Sequence, residues 1–298
     1  MSLAFQIVLA PKQASAFLTK ITSIFHREVL IRLSYWYRTY CNYRGIPYPF
    51  IDNPDIYVLP FNTLLKRIPR AREEEALSLS VAYSLGLPVP RLISYGNDGV
   101  CGTIWMTRIS GEPLSQIWNT LSDVQKTTIV NEVDECLIRL REFPNPAGPR
   151  ISSVLGTSMK SFRTPSGVIP PCQDEPEFLQ YLLSARDPAL WEDNRQNYDA
   201  DTVKVKGISA IPHSVVFTHG DLYRHNILVH DGRLSGIIDW ECAGWLPEYW
   251  DYTTMTVRAY SITTDWNTAI YTAPGFKYAQ ELDADYALVC ATQYSFPL

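Results

Sequence analysis

The sequence lacks the features that mark several classes of protein. Its six cysteines are scattered and include no CxxC pair, so neither a zinc site nor a disulfide framework is indicated. The formal net charge is -5 and no block of Lys and Arg occurs, which argues against nucleic acid as a partner. The apolar start MSLAFQIVLAPKQ has no basic residue ahead of it and is too short to span a membrane. We therefore expect a cytoplasmic protein with no signal peptide and no membrane partner.

The composition favours a large folded core. With 298 residues and 46% hydrophobic content, the chain can form one bilobal domain or two small ones. The proline-bearing loop GIPYPFIDNPD, residues 45 to 55, separates an N-terminal helical stretch from the rest of the chain. Apolar patterning then predicts one helix and four strands, the helix at residues 71 to 85 and the strands at 56 to 59, 63 to 67, 91 to 95 and 102 to 106.

The second part of the chain is patterned for helices. Ser122 and Gln125 form a capping box ahead of apolar residues at helical spacing. The acidic run 281 to 285 is interpreted as a solvated helix face. We expect an α+β fold of two lobes: residues 1 to 108 hold a small antiparallel sheet with one helix, and residues 109 to 298 form a larger, mainly helical lobe. A ligand is expected in the cleft between the lobes.

The stretch THGDLYRHNILVHDGRLSGIIDWE, residues 218 to 241, predicts a β-hairpin with functional side chains at its ends. Its turn is Asp231-Gly232, a strong two-residue hairpin signal. If paired residue numbers sum to 463, then Leu228 faces Ser235 and Asn226 faces Ile237. Asn226 and Asp239 then share one face as diagonal neighbours. Amide and carboxylate oxygens in that arrangement suit Mg²⁺.

Asp221 lies in the loop that precedes this hairpin, five residues before Asn226. Gly220 beside it allows the backbone to approach other chain segments closely. A carboxylate at the mouth of a cleft can orient a substrate hydroxyl and accept its proton as a new bond forms. Asp221 is therefore the candidate catalytic base.

The motifs HGDLYRHN and IIDWE, at this spacing, resemble those of the aminoglycoside phosphotransferase and choline kinase-like family, which has the protein-kinase fold. The segments LPFNTLLKR, EEEAL, LPVPRLI and GEPL, in that order, look most like its fungal branch. The resemblance implies ATP and Mg²⁺ as cofactors and a small-molecule hydroxyl as acceptor. It also implies the role of each residue: a base (Asp221), two Mg²⁺ ligands (Asn226, Asp239), a phosphate-binding lysine (Lys66), a brace (His219) and an adenine-binding hinge (Met106, Thr107, Arg108, Ile109).

The same resemblance requires a helix glutamate that pairs with Lys66. Glu73 shares a helix face with Leu77 and Val81, so we expect it to point inward and form the pair. Glu74 is turned away by about 100° and Glu75 by about twice that, which makes Glu75 the second choice.

Two departures from the kinase pattern stand out. The segment LPFN ahead of Lys66 carries no glycine, so the Gly-rich phosphate loop is missing. Tyr223 stands where protein kinases carry a lysine two residues after the base, and we expect the neighbouring Arg224 to supply part of that positive charge.

Two other functions remain open at this stage. A catalytically silent nucleotide-binding module that regulates a partner fits the missing glycines, whereas the complete set of Asp221, Asn226 and Asp239 opposes it. A metal-dependent hydrolase using His219 and Asp221 lacks the additional ligands that such a site needs. Relatives of this fold phosphorylate aminoglycosides, choline, sugars and proteins, and the sequence leaves the acceptor and the oligomeric state open.

Overall fold

The computed structural model describes residues 13–49, 53–69, 72–164, 166–184, 195–257 and 265–292. The described chain begins with helix α1 (Ala16–Phe25), continues through a π-helical turn (His26–Leu30) and enters helix α2 (Ile31–Arg44). Gly45 ends α2 with a φ of 64°, a left-handed conformation that glycine adopts without strain. The predicted N-terminal helical stretch is thus confirmed up to the loop at residue 45.

A four-stranded antiparallel sheet forms the centre of the first lobe. Its strands follow the spatial order β1-β2-β4-β3, with β1 at Ile56–Leu59, β2 at Thr63–Pro69, β3 at Leu92–Asn97 and β4 at Cys101–Thr107. Side chains alternate between the two faces of a strand. Leu65 therefore points to the outer face, where it packs with Leu30 and Leu59, and Lys66 points to the inner face. Helices α1 and α2 cover the outer face, α1 on β3 and α2 on β1.

Helix α3 (Glu73–Ser84) completes the first lobe and carries three glutamates in its first turn. Negative charge at this end is favourable because the helix dipole is positive there. Val81 is buried, and so is a stripe of apolar residues at a spacing of three, Ala76, Leu79 and Ala82. This stripe, rather than the partly exposed Leu77, marks the face that packs against the rest of the lobe.

The second lobe is mainly helical, as predicted. Its helices are α4 (Leu114–Ile117), α5 (Asp123–Arg141), α6 (Glu175–Ser184), α7 (Arg195–Gly207), α8 (Trp250–Val257), α9 (Asp265–Tyr271) and α10 (Ala279–Thr292). Short strands connect them: β5 (Glu112–Pro113), β6 (Met159–Lys160), β7 (Val168–Ile169), β8 (Val215–Thr218), β9 (Ile227–His230), β10 (Arg233–Ile237) and β11 (Gly244–Pro247). The capping box of Ser122 and Gln125 starts α5, as predicted. Four fully buried tryptophans at 118, 240, 250 and 266 fill the core.

The acidic run of helix α10 is only partly solvated, so that interpretation was wrong. Glu281 is buried and its Oε1 lies 2.8 Å from Nε2 of His213. Asp285 is also buried and forms an ion pair with Arg163 at 2.6 Å. Only Asp283 is solvated, at 62% side-chain exposure. A buried carboxylate is tolerated where a cation or hydrogen-bond donor faces it, and here both partners come from distant parts of the chain.

The predicted hairpin forms, but its register differs from the prediction. Asp231 and Gly232 have φ values of 51° and 72°, as a two-residue turn of this kind requires. The pairs His230–Arg233 and Val229–Leu234 follow the predicted sum of 463, but a bulge then shifts the ladder, and Leu228 pairs with Gly236. The extra residue in the bulged strand is Ser235, so the expected pair of Leu228 with Ser235 does not form.

The bulge also changes the position of Asn226. This residue ends a short 3-10 turn (Arg224–Asn226) just ahead of β9. Its carbonyl oxygen accepts a hydrogen bond from the N–H of Ile238, not of Ile237, at 2.9 Å. Asn226 thus opposes Ile238, the residue directly before Asp239, so the predicted diagonal pairing of Asn226 and Asp239 on one face of the ladder does not form.

The fold agrees with the expected α+β class: a kinase-like bilobal arrangement with an antiparallel sheet in the first lobe and a helical second lobe. Each predicted strand and helix of the first lobe forms within two residues of its predicted ends. The division of the chain at residue 108 stays a prediction. Within the described ranges, no helix has the length and apolar character needed to cross a bilayer.

Candidate active site

The loop that carries Asp221 is held by a buried carboxylate. Asp251 accepts hydrogen bonds from the backbone N–H groups of His219 and Gly220, at 3.0 and 2.9 Å. Gly220 has a φ of 79°, and a Cβ at this position would lie 2.1 Å from the carbonyl oxygen of Cys242. Only glycine fits both the conformation and the space, so this position fixes the backbone immediately before Asp221.

Asp221 and Asn226 are in direct contact. The Nδ2 of Asn226 donates to the backbone oxygen of Asp221 at 2.9 Å and to its Oδ2 at 3.3 Å. Because both partners are acceptors, the NH₂ end of the amide must face Asp221, and the amide oxygen is the atom left to bind a cation. The exposed His225 adds a weaker contact, with Nε2 3.6 Å from Oδ2 of Asp221.

His219 connects the loop of Asp221 to the segment of Asp239. Its Nδ1 accepts a hydrogen bond from the backbone N–H of Asp221 at 3.2 Å. The proton of the ring therefore resides on Nε2, which donates to the carbonyl oxygen of Ile238 at 2.9 Å. With both nitrogens used inside the protein, His219 acts as the brace that was predicted.

Lys66 joins the two lobes through two carboxylates. Its Nζ lies 2.7 Å from Oε1 of Glu75 on α3 and 2.7 Å from Oδ1 of Asp239 in the second lobe. The side chains of Lys66 and Glu75 are almost fully buried, whereas that of Asp239 is 38% exposed. Asp239 has a φ of 66°, a left-handed conformation that turns it out of the line of β10. One carboxylate of this cluster thus faces inward and the other reaches the cleft.

Lys66 and Asp239 stabilise each other's charge. Burial would raise the pKa of Asp239, but the ammonium of Lys66 and its hydrogen bond hold that pKa below its usual value. Burial opposes the charge of Lys66 as well, and the two carboxylates more than offset it, so the pKa of Lys66 is raised. Burial raises the pKa of Glu75 to about 7, against the lowering effect of Lys66. Asp239 is therefore a carboxylate, and Lys66 a cation, at neutral pH.

The prediction that Glu73 pairs with Lys66 was wrong, and the second choice, Glu75, forms the pair. The Oε1 of Glu73 instead accepts a hydrogen bond from the backbone N–H of Ala14 at 2.5 Å. The error came from taking Leu77 and Val81 as the inward stripe of the helix. Both sides of α3 are covered, so burial of Glu73 does not place it on the face of Lys66.

The predicted hinge uses much of its backbone within the protein. The N–H of Thr107 donates to the carbonyl of Arg91 at 3.0 Å, and the N–H of Arg108 donates to the carbonyl of Asn62 at 2.8 Å. The side-chain amide of Asn62 also donates to the carbonyl of Arg108 at 2.9 Å. The N–H groups of Thr107 and Arg108 are therefore not free to bind a nucleotide base.

The other two hinge residues lie on either side of these contacts. Met106 is buried in β4, between β2 and β3. Ile109 packs on the hairpin of β9 and β10, since a Cβ at Gly236 would lie 2.6 Å from its Cδ1. The absence of a side chain at Gly236 allows this close contact.

Arg224 lies in the turn between Asp221 and Asn226. Its guanidinium carbon is 5.6 Å from the ring centre of Tyr223 and 5.9 Å from that of Trp266. Its Nε is buried and has no hydrogen-bond partner among the described residues. A buried donor without a partner is uncommon, and this one is located beside the candidate base.

Asp221 and Asp239 both lie near Cys242. Burial raises the pKa of this thiol, and the negative charges of Asp221, Glu241 and Asp239 raise it further. In the described part of the chain, no three His, Cys, Asp or Glu side chains form a metal-binding group. A site made by one amide and one carboxylate, with other ligands from substrate or water, is the kind that suits Mg²⁺ rather than a resident zinc ion.

A family model matches residues 57–287, and its description is "Phosphotransferase enzyme family". This region includes the sheet and helix α3 of the first lobe, most of the second lobe and every residue of the site described above. The chain belongs to the phosphotransferase enzyme family. It is by that membership a small-molecule kinase. Its place in the fungal branch of such enzymes stays a prediction.

This phosphotransferase also resembles solved structures at low sequence identity. A thermostable mutant of aminoglycoside phosphotransferase APH(4)-Ia, in a ternary complex with AMP-PNP and hygromycin B, aligns with a TM-score of 0.58 and 13% identity, covering 83% of this chain and 84% of that one. The structure of APH(4)-Ia itself aligns with a TM-score of 0.57 and 14% identity, covering 82% of this chain and 83% of that one. The aminoglycoside-3'-phosphotransferase of type VIII aligns with a TM-score of 0.50 and 15% identity, covering 84% of this chain and 97% of that one. These likenesses establish the kinase-like fold; no curated protein sequence matches the chain.

Asp251 is the site residue of this phosphotransferase that sequence reasoning missed. It lies in the run GWLPEYWDY, residues 244 to 252, where it is surrounded by aromatic and apolar residues. A carboxylate between aromatic neighbours, as Asp251 is between Trp250 and Tyr252, is buried only if it accepts hydrogen bonds. The sequence thus indicated a buried, hydrogen-bonded carboxylate at Asp251, but it did not indicate that the loop of His219 and Gly220 supplies the donors.

Proposed function

We propose that this phosphotransferase moves the γ-phosphoryl group of ATP, with Mg²⁺, to a hydroxyl group of a small molecule. The observation that carries the proposal is Lys66, whose single ammonium is hydrogen-bonded to Glu75 of the first lobe and Asp239 of the second. A lysine–glutamate pair together with an aspartate beside the metal is the arrangement that kinase catalysis requires.

The residues of the cleft fit Mg-ATP. The amide oxygen of Asn226 and the carboxylate of Asp239 are the groups that would hold the metal ion, and Lys66 would hold the phosphates. The ionised, partly exposed state of Asp239 supports this assignment. ATP would supply the transferable phosphoryl group, and Mg²⁺ would neutralise charge on its oxygens.

Asp221 is proposed as the base. Its carboxylate is oriented by Asn226, and its backbone by Gly220 and His219. It can therefore hold the hydroxyl of an acceptor and take its proton as the oxygen–phosphorus bond forms. Arg224, with its buried Nε, would place positive charge near the transferred group.

The hinge is proposed to bind adenine through fewer groups than the four residues first assigned. Thr107 and Arg108 have their N–H groups in internal hydrogen bonds. We therefore assign the donor role to the N–H of Ile109, at the point where the hinge meets Gly236.

The second candidate function is a nucleotide-binding module without catalysis. It is favoured by the connection between β1 and β2, where Phe61 and Asn62 form a tight turn without glycine and Asn62 is tied to Arg108. This turn leaves no flexible loop to cover phosphates. The intact cluster of Lys66, Glu75 and Asp239 favours the kinase.

The test is a mass-spectrometric screen of hydroxyl compounds for a gain of one phosphate that requires both ATP and metal. The panel includes hygromycin B, which is bound in a structural relative, together with choline, sugars and a cell extract. Asp221→Asn serves as the inactive reference. Stabilisation by ATP and Mg²⁺ without any phosphorylated product or ATP consumption would favour the silent module.

A further inference from the structure

The N-terminal helices expose their apolar side. Helix α1 and the π-helical turn present Thr19, Ser23 and His26 to the sheet, where all three are buried. The opposite side carries six large apolar residues, each at least 43% exposed: Phe17, Leu18, Ile21, Ile24, Phe25 and Val29. We call these six residues the outer N-terminal face. A surface helix normally buries its apolar side, so this face has the character of a binding surface.

Specific contacts fix this orientation of the helix. A Cβ at Gly96 of β3 would lie 2.5 Å from the backbone nitrogen of Ser23, so the helix sits against the strand without space for a larger side chain. The ring nitrogens of His26 lie 2.8 Å from the hydroxyls of Thr103 and Ser94. Rotating α1 to bury its apolar side would break these contacts, and the exposed face is therefore a stable feature of the fold.

The same segment is basic in an acidic protein. Residues 16–44 contain five Lys and Arg and one Glu, a formal charge of +4, while the whole chain carries -5. The single acid, Glu28, is paired with Arg27 and Arg32 at 2.9 and 2.8 Å. At about 100° per residue, Lys20 and Arg27 lie on one flank of the outer N-terminal face. Positive charge thus borders the apolar surface.

Helix α2 continues the surface with aromatic residues. Trp36 and Tyr40 are stacked with ring centres 5.5 Å apart and are both exposed, as are Tyr35 and Tyr43. Tryptophan and tyrosine prefer the boundary between lipid and water, because their rings are apolar and their tips are polar.

We propose that the outer N-terminal face docks the protein on an anionic lipid surface, with α1 and α2 lying in the headgroup region. An apolar helix face bordered by Lys and Arg, with aromatic residues beside it, is the pattern of interfacial helices. A second copy of the chain is a poorer occupant, since a two-fold interface would oppose two segments of charge +4.

This docking leaves the active site accessible. The outer N-terminal face lies on the side of the sheet away from Lys66, because α1 and α2 cover the outer face and Lys66 points to the inner one. Docking would therefore be peripheral, and it differs from the expectation of no membrane partner. It does not depend on the proposed reaction.

The experiment is co-sedimentation of the full chain with two kinds of vesicle, pure phosphatidylcholine and phosphatidylcholine containing about 30% phosphatidylserine. We expect the protein to bind the anionic vesicles at least roughly tenfold more tightly than the pure phosphatidylcholine vesicles. The variant Phe17→Ser/Leu18→Ser/Ile21→Ser should lose that binding by roughly tenfold or more. Lys20→Glu/Arg38→Glu, which reverses the charge of one exposed basic residue on α1 and one on α2, should reduce it as well.

A matched control separates this face from apolar exposure in general. Val100→Ser/Val124→Ser/Val203→Ser removes three exposed valines, each at least 70% exposed, from other parts of the surface. It should bind like the unmodified protein, and thermal unfolding verifies that both triple variants fold. Equal binding of the two triple variants would overturn the proposal, as would the absence of sedimentation with either vesicle. So would a dimer in solution that the first triple variant dissociates.

Discussion

Lys66 and Asp239 are 173 positions apart in the chain, and their side chains meet at 2.7 Å. Lys66 comes from the middle of β2 and Asp239 from the residue pair just after β10. The contact links the first lobe to the second at the point where the phosphotransferase is proposed to hold phosphate and metal. Because Glu75 is bonded to the same ammonium, Lys66 is held between one carboxylate of each lobe.

Asp221→Asn should abolish turnover while leaving nucleotide affinity nearly unchanged. The amide keeps the size of the side chain but cannot accept the proton of a hydroxyl, a function worth roughly 10² to 10⁴ in rate. Phosphate transfer is measured alongside the stabilisation of the protein by ATP and Mg²⁺. Asp231→Asn, at the exposed turn of the hairpin that follows Asp221, is the matched control. Transfer by the Asp221 variant at the normal rate would remove Asp221 as the base.

Asp239→Asn should weaken the binding of Mg-ATP by roughly tenfold or more, since it removes the charged ligand of the proposed metal site. Asn tolerates the left-handed conformation found here, so the backbone should stay in place. The measurement is a titration of ATP-dependent thermal stability with and without Mg²⁺. Asp231→Asn is again suitable as a control because its φ of 51° is similar. An unchanged dependence on Mg²⁺ would contradict the assignment.

Glu75→Gln should raise the KM for ATP by roughly 10-fold to 100-fold, because a hydrogen bond to a charged group such as the Lys66 ammonium is worth about 1.5 to 3 kcal/mol. Glu73→Gln changes the same residue type two positions away and should leave the KM for ATP unchanged, since Glu73 contacts Ala14 rather than Lys66. Steady-state kinetics with varied ATP distinguishes the two variants. The reverse order of effects would restore Glu73 as the partner of Lys66.

Asp251→Asn should lower the free energy of unfolding by about 2 to 3 kcal/mol, because its NH₂ group would face a backbone N–H in a buried site. The two donors that Asp251 now accepts, from His219 and Gly220, cannot both be satisfied by an amide. Urea unfolding gives the change. Asp283→Asn, at a position with 62% side-chain exposure, should leave the stability nearly unaltered, and equal stability of both variants would argue against the role of Asp251.

His26 should make the protein less stable as the pH falls from 6.5 to 4. Burial lowers the pKa of His26 from 6.5 to about 4. Within that window the unfolded chain takes up a proton that the folded chain does not, so the stabilising contribution is complete above pH 6.5 and is lost toward pH 4, by up to about 3 kcal/mol.

The test compares urea unfolding of the unmodified protein and His26→Gln at several pH values in that range. Carboxylates titrate in both proteins. The difference between the two plots of unfolding free energy against pH therefore isolates the contribution of His26. Parallel curves would show that His26 does not titrate in this way.

The sequence was sufficient for features encoded by neighbouring residues. The turn at Asp231-Gly232 and the capping box of Ser122 depend on a few adjacent positions, and both form as predicted. The resemblance of short motifs to a known family located Lys66 and the loop of His219, and the contacts of His219 confirm its role.

Features that depend on distant partners were not predictable in the same way. The bulge at Ser235 shifts the register of β10, and β5, from another part of the chain, pairs with the same β9 ladder. The choice between Glu73 and Glu75 depends on which side of α3 faces Lys66, and a helix covered on both sides gives no clear answer from its apolar pattern. Helix α1 buries its polar side for similar reasons, because its partners are Gly96, Thr103 and Ser94 of the sheet.

The family match begins at residue 57, yet the chain ahead of it supplies Leu30 to the cluster with Leu59 and Leu65 and supplies Ala14 to the first turn of α3. The region that matches the family and the region that packs as one folded unit therefore begin at different residues. A chain trimmed to the matched region would leave one side of its β-sheet bare to water and would remove a contact of the helix whose Glu75 holds Lys66.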